Sequence, residues 1–161
     1  MVVYEQGFAI HNHKGGQLWR WEEIVSLTGA VTFPFSTNVY RLSNRQKQQL
    51  VLNNVISRVD ELALLIQEAI TPILFDQARQ QFNGGQRLVF GPVAISKSGL
   101  EVGKKLYVWE EVRQVSIQRG ILKVSKKEGN WISGATTPVS IIPNLHVLLN
   151  IIHQVVGLQI G

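Results

Sequence analysis

A four-residue word, Trp21-Glu22-Glu23-Ile24, returns 88 positions later as Trp109-Glu110-Glu111-Val112. Each copy follows a Gly-apolar pair, Gly7-Phe8 and Gly99-Leu100, and precedes a β-rich run that ends in an apolar helical pattern. Inside the word the tryptophan and the aliphatic residue are three apart, which breaks the two-residue period of a strand. A bulge or a single helical turn puts both large side chains on the core side and leaves the glutamates facing water. The match extends further: Val59, Leu62 and Ile66 correspond to Leu145, Leu148 and Ile152 at a constant offset of 86. The chain therefore reads as one β-plus-helix unit written twice. Residues 1–83 form the first unit with a helical connector, and residues 84–161 the second.

The pattern within each half is mostly strand. Val2–Ile10 alternates as one strand with Val2, Tyr4, Gln6, Phe8 and Ile10 on one face, and Lys14-Gly15-Gly16 marks a turn. Leu18–Leu27 returns as a strand, Ala30–Phe35 and Asn38–Ser43 are weaker candidates around Pro34, and Gln49–Val55 is another. Ser57 with Asp60 and Glu61 predicts a helix start. Thr71-Pro72 predicts a break into two helices, the second running to about Phe82 and ending at Asn83-Gly84-Gly85. Strand-like runs resume around Gly91-Pro92 and continue over Leu100–Val102, Lys104–Arg113, Gln114–Gln118, Ile121–Ser125, Trp131–Ser133 and Thr137–Ile142. Pro143 opens a last helix with Leu145, Leu148, Leu149, Ile152 and Val156 on its apolar stripe.

Order and spacing point to an α+β fold, mostly antiparallel β. Two tandem pleckstrin-homology-like units are each closed by an amphipathic helix. With 161 residues and 45% apolar composition, the chain can bury a core without staples. It has no cysteine, so disulfides, thiolate metal sites and a cysteine nucleophile are excluded. The longest apolar run, 145–160, carries His146, Asn150, His153 and Gln154 and is too short and too polar to span a bilayer. No signal-peptide pattern opens the chain. These features favour a cytoplasmic, membrane-peripheral at most, location.

Several words together resemble an uncharacterised family of bacterial proteins, a domain of unknown function with pleckstrin-homology-like halves. They are Tyr4-Glu5-Gln6-Gly7-Phe8, Arg20-Trp21-Glu22-Glu23-Ile24, Phe90-Gly91-Pro92, Ser98-Gly99-Leu100, Trp109-Glu110-Glu111-Val112 and Ile142-Pro143-Asn144-Leu145. The resemblance covers roughly Val3 to Ile152. It departs between Phe33 and Asn44, where relatives carry a longer hairpin. Some relatives also carry extra N-terminal sequence, whereas this chain opens directly on a strand. The resemblance implies no activity and no catalytic residues, and it points towards binding.

Candidate sites are sparse. The net charge of +5 comes from residues 84–161, which hold nine Lys/Arg against four Asp/Glu, while residues 1–83 balance seven against seven. Lys97, Lys104 and Lys105 are the candidate contacts for an anionic ligand or membrane surface. Lysines that guard sheet edges are the competing explanation. His11 and His13 are two ligands without a third, so no metal site is expected. Adjacent glutamates on a pleat point opposite ways and make a poor acid–base pair. His146 and His153 flank an apolar stripe as boundary residues. No aromatic platform interleaves with the lysines, which disfavours nucleic acid. The expectation is a non-catalytic protein-binding or scaffolding module without a cofactor, using a sheet edge or a helix face. The alternative is a peripheral membrane-surface module binding anionic head groups.

Overall fold

A computed structural model describes residues 1–12, 15–29, 39–128 and 134–157. Strands β1 (Val2–Tyr4), β2 (Gly7–Asn12) and β3 (Gly15–Arg20) form an antiparallel sheet in that order. A 3-10 turn over Trp21–Glu23 leads into a second sheet of β4 (Ile24–Thr28), β5 (Val39–Asn44) and β6 (Gln49–Asn53). Helix α1 (Val59–Asn83) follows. Then β7 (Leu88–Phe90), β8 (Val93–Ser96), β9 (Gly99–Val102) and β10 (Lys105–Val108) form a four-stranded sheet. A 3-10 turn over Trp109–Glu111 leads into β11 (Val112–Gln118), β12 (Ile121–Lys126) and β13 (Ala135–Pro138). After a 3-10 turn at Val139–Ile141, helix α2 (Leu145–Asn150) closes the chain and widens into a π-helix over Ile151–Val156. The fold is α+β, with four open antiparallel sheets and few helices among the described residues.

The two Trp-Glu-Glu words share one local geometry. Each is a 3-10 turn entered from an extended residue. Each is followed by a register shift, between Ile24 and Ser26 in one case and between Val112 and Gln114 in the other. Each indole N–H donates to a carbonyl at the preceding hairpin, Trp21 Nε1 to Glu5 O and Trp109 Nε1 to Ser96 O, both at 2.9 Å. The carbonyls of Glu23 and Glu111 each accept a backbone N–H, from Arg45 and Lys127, again at 2.9 Å. Trp21, Ile24 and Val112 are buried and Trp109 packs against its core, while Glu22, Glu110 and Glu111 are exposed. The break in strand period is thus a corner that turns one sheet into the next.

The core falls into two clusters. One gathers Phe8, Trp19, Tyr40, Leu52 and the N-terminal half of α1 up to Ile70. The other gathers Phe82, Ile95, Leu100, Leu122 and the α2 side chains Leu145 and Leu148. Helix α1 serves both, and Leu74 packs against each.

Four expectations need correction. Val2–Ile10 is not one strand: Glu5-Gln6 is a tight turn, so Phe8 is buried while Val2 and Tyr4 are exposed. Alternation continued through the turn and disguised it. Pro72 does not split α1, which runs unbroken from Val59 to Asn83. Proline removes one helical N–H bond, but packing of Ile66 and Ile70 on one side and Ala78 and Phe82 on the other holds the axis. Thr71 Oγ1 also donates to Gln67 O at 2.6 Å, one turn back. Ser57 is not the N-cap; Arg58 is, in a left-handed conformation with φ 58. The last helix begins at Leu145 rather than Pro143, because Asn144 has φ 52. The strand expected at Ala30–Phe35, the one expected at Trp131–Ser133, Asn38 and His13 lie outside the described residues.

Candidate functional site

The turn at Glu5-Gln6 makes β1 an edge strand of the first sheet. Tyr4 pairs with Gly7 across that turn, and Val3 and Val2 then pair with Phe8 and Ala9. Antiparallel ladders alternate, so with Tyr4 and Gly7 bonded to each other Val3 directs its N–H and C=O away from β2. On that side β1 has no partner strand among the described residues. The same edge in the four-stranded sheet is covered. Counted back from the glycine that begins the next strand, Tyr4, Val3 and Val2 correspond to Ser96, Ile95 and Ala94. There β7 pairs with β8, Leu88 with Ile95 and Val89 with Ala94. The effect on exposure is large: Ile95 is 0% exposed and Val3 41%, Ala94 3% and Val2 54%.

An apolar row crosses the outer face of the same sheet. Val2, Ala9 and Leu18 are cross-strand neighbours, and Leu18 is 57% exposed. Beside them is a shallow cleft of about 400 Å³ lined by Tyr4, Gln6, Gly7, Ala9, Leu18 and Arg20. No side chain of Val2–Tyr4 is charged, so the lysine that commonly blunts an open edge is missing here. The signal was present in the sequence as an aliphatic-Val-aromatic triplet, Val2-Val3-Tyr4, of the same pattern as Leu88-Val89-Phe90.

The lysine trio does not come together. Lys97 lies in the turn beyond Ser96 and Gly99, whereas at the opposite end of β9 Lys104 lies in the turn after Val102 and Lys105 stands opposite Val102 on β10. Lys97 Nζ stands 4.6 Å from the centre of the Phe82 ring. Lys105 Nζ stands 5.3 Å from that of Tyr107, which Lys126 Nζ also approaches at 6.0 Å. Lys126 is in turn paired with Glu111 at 2.7 Å. Among the described residues no group of three or more His, Asp or Glu side chains could hold a metal ion.

A small apolar cavity of about 10 Å³ lies between β4, α1 and α2, lined by Leu27, Gln67, Ile70, Leu74, His146 and Val147 among others. Ligand sites generally need about 300 Å³ or more, so this is a packing feature. Gln67 Oε1 and His146 Nε2 are buried beside it without a hydrogen-bond partner among the described residues. Burial lowers the His146 pKa from its ordinary 6.5, and no lining residue is charged. The unfolded chain therefore takes up a proton at His146 before the folded one does, so stability falls as pH drops below about 6.5. In urea titrations at pH 7.5 and 5.0, the wild type is expected to lose more stability on acidification than His146→Gln. Equal losses would show that His146 contributes nothing to the acid limb.

No helix among the described residues is long and apolar enough to cross a membrane. No curated protein and no solved structure matches the chain. The model of a family of unknown function (DUF6585) matches residues 1–159, and the chain belongs to that family.

Proposed function

We propose that this chain is a non-catalytic protein-binding module built from two tandem pleckstrin-homology-like units, residues 1–83 and 84–161, and that it binds by strand addition at β1. The observation that carries the reading is the open edge of β1 beside the covered edge of β8. Two sheets, a tryptophan corner, a bulge and a helix recur in the same order in both halves. Among the described residues the second half has four strands before its corner and the first has three. A partner that lends an extended apolar segment completes the first sheet with main-chain hydrogen bonds, and its alternate side chains set specificity. The anionic-surface alternative draws no support from the trio, whose members lie at opposite ends of β9.

The test is to fill the edge in cis. Residues 87–92, Arg-Leu-Val-Phe-Gly-Pro, are fused directly to the N-terminal side of Met1, which puts the added Leu, Val and Phe opposite Val3, Val2 and Met1 in the β7–β8 register. With a photo-reactive side chain at position 2, the unextended chain is expected to form cross-linked protein adducts in the cells that make it, and the extended chain is expected to form none. Adducts absent from both, or equal in both, would overturn the reading.

A further inference from the structure

We infer that the strand completing the first sheet is β1 of a second copy of this chain, giving a two-fold dimer with a continuous six-stranded sheet. This inference rests on the open-edge reading above and names its partner. Three observations favour a second copy over an unrelated segment.

The first is pattern. The strand that covers the corresponding edge in the other half is Leu88-Val89-Phe90. Val2-Val3-Tyr4 has the same order, an aliphatic residue, a valine and an aromatic residue. The likeness is one of composition, an uncharged apolar triplet, and not of facing: in β7 Leu88 and Phe90 face the core and Val89 is exposed, whereas the two-fold pairing gives the core-facing place to Val3.

The second is self-complementarity. A two-fold axis through Val3 sets Val3 opposite Val3 of the other copy, and Val2 opposite Tyr4. Val3 is the residue whose N–H and C=O point outward, so the pair exchanges two main-chain hydrogen bonds, as an antiparallel ladder requires. Each Val2–Tyr4 contact is a β-branched residue against an aromatic one, a favourable cross-strand pair. Such an isologous arrangement closes on itself and leaves no edge of β1 for further growth.

The third is charge. Within Met1–Gln6 the side chains carry a single charge, that of Glu5. The two-fold pairing sets Glu5 opposite Met1, so no like charges face each other across it. No lysine, proline or bulge in Val2–Tyr4 opposes edge-to-edge pairing. A three-residue edge with a neighbouring apolar row is small by the standard of stable dimers, so the association is weak and concentration-dependent.

Sedimentation equilibrium on the full chain across roughly 1 µM to 1 mM tests the inference. The expected result is a mass rising from 18.1 kDa towards twice that value. Val3→Pro removes the outward N–H without taking a bond from the β1–β2 ladder, and it is expected to remain monomeric throughout. The chain extended by residues 87–92 is expected to remain monomeric too, and because it adds a strand it does not depend on tolerance of proline. A wild type that stays monomeric at the highest concentration overturns the second-copy inference; cross-links from position 2 to other proteins then leave the open-edge reading standing. A wild type that dimerises equally with Val3→Pro and with the extended chain places the contact elsewhere and overturns the inference as well.

Discussion

Gly99→Ala is expected to destabilise the protein by about 3 kcal/mol, seen as a fall of roughly 10 °C in Tm. A methyl group there would lie 2.2 Å from Tyr107 O and 2.9 Å from Val108 Cα. Both are backbone atoms of the paired strand and cannot swing aside. Gly7→Ala is expected to cost a similar amount, with 2.1 Å to Trp19 O and 2.9 Å to Arg20 Cα. Gly7 pairs with Arg20 and Gly99 with Val108, the last pair in each ladder before the tryptophan corner. The chains converge there because each corner must bring its indole N–H to the carbonyl of the preceding hairpin. The control is Gly84→Ala, whose added methyl meets nothing nearer than Gln80 O at 3.4 Å. It is expected to fall within about 0.5 kcal/mol of wild type. Thermal and urea denaturation of the three variants reads the contrast. A tolerant Gly7 or Gly99 would show that the corner backbone relaxes more freely than the packing implies.

Asn144→Ala is expected to cost about 2–3 kcal/mol. This residue joins the start of α2 to the edge of β4 through three hydrogen bonds. Its Oδ1 accepts from Leu27 N at 2.9 Å and its Nδ2 donates to Val25 O at 2.8 Å. Its own N–H donates to Leu27 O at 2.8 Å. It thereby covers the β4 edge with a side chain, where a strand would otherwise pair. Alanine leaves those groups short of partners and adds the strain of a left-handed backbone, φ 52, on a residue that disfavours it. Asn144→Gly relieves the backbone term and keeps only the hydrogen-bond loss, so it is expected to be the milder of the two. If both variants match wild type in urea denaturation, the contact between the two core clusters does not depend on this residue.

Much of this organisation was legible in residue order. The three-residue spacing of Trp21 and Ile24, and of Trp109 and Val112, indicated a corner because no strand can bury both. The helical spacing of Val59, Leu62, Ile66 and Ile70 located α1, since one apolar stripe must face the core. The break at Pro72 was misleading because local propensity does not report the packing on either side of it. The left-handed residues Arg58 and Asn144 were invisible because neither is glycine, and tertiary contacts hold Asn144 in place. The edge position of β1 was missed for a related reason. Val2, Tyr4, Gln6, Phe8 and Ile10 alternate without interruption, and the turn at Glu5-Gln6 is specified from a distance. Trp21 N–H donates to Gln6 O at 3.1 Å, and its indole to Glu5 O. Lys97, Lys104 and Lys105 were grouped by proximity in sequence, but successive hairpin turns lie at opposite ends of a sheet.

Among the described residues the first sheet has no counterpart of β7 beside β1. The central claim, that this edge is open, is tested most directly by the amide exchange rate of Val3, measured at low protein concentration in the unextended chain and in the chain extended by residues 87–92. An outward N–H on an open edge exchanges fast, and the same N–H bonded to an added strand is protected. The expected result is slowing by about 100-fold or more in the extended chain, with the Val2 amide little changed because β2 already holds it. An equal Val3 rate in the two chains would contradict the claim, since the added segment would then find no place beside β1.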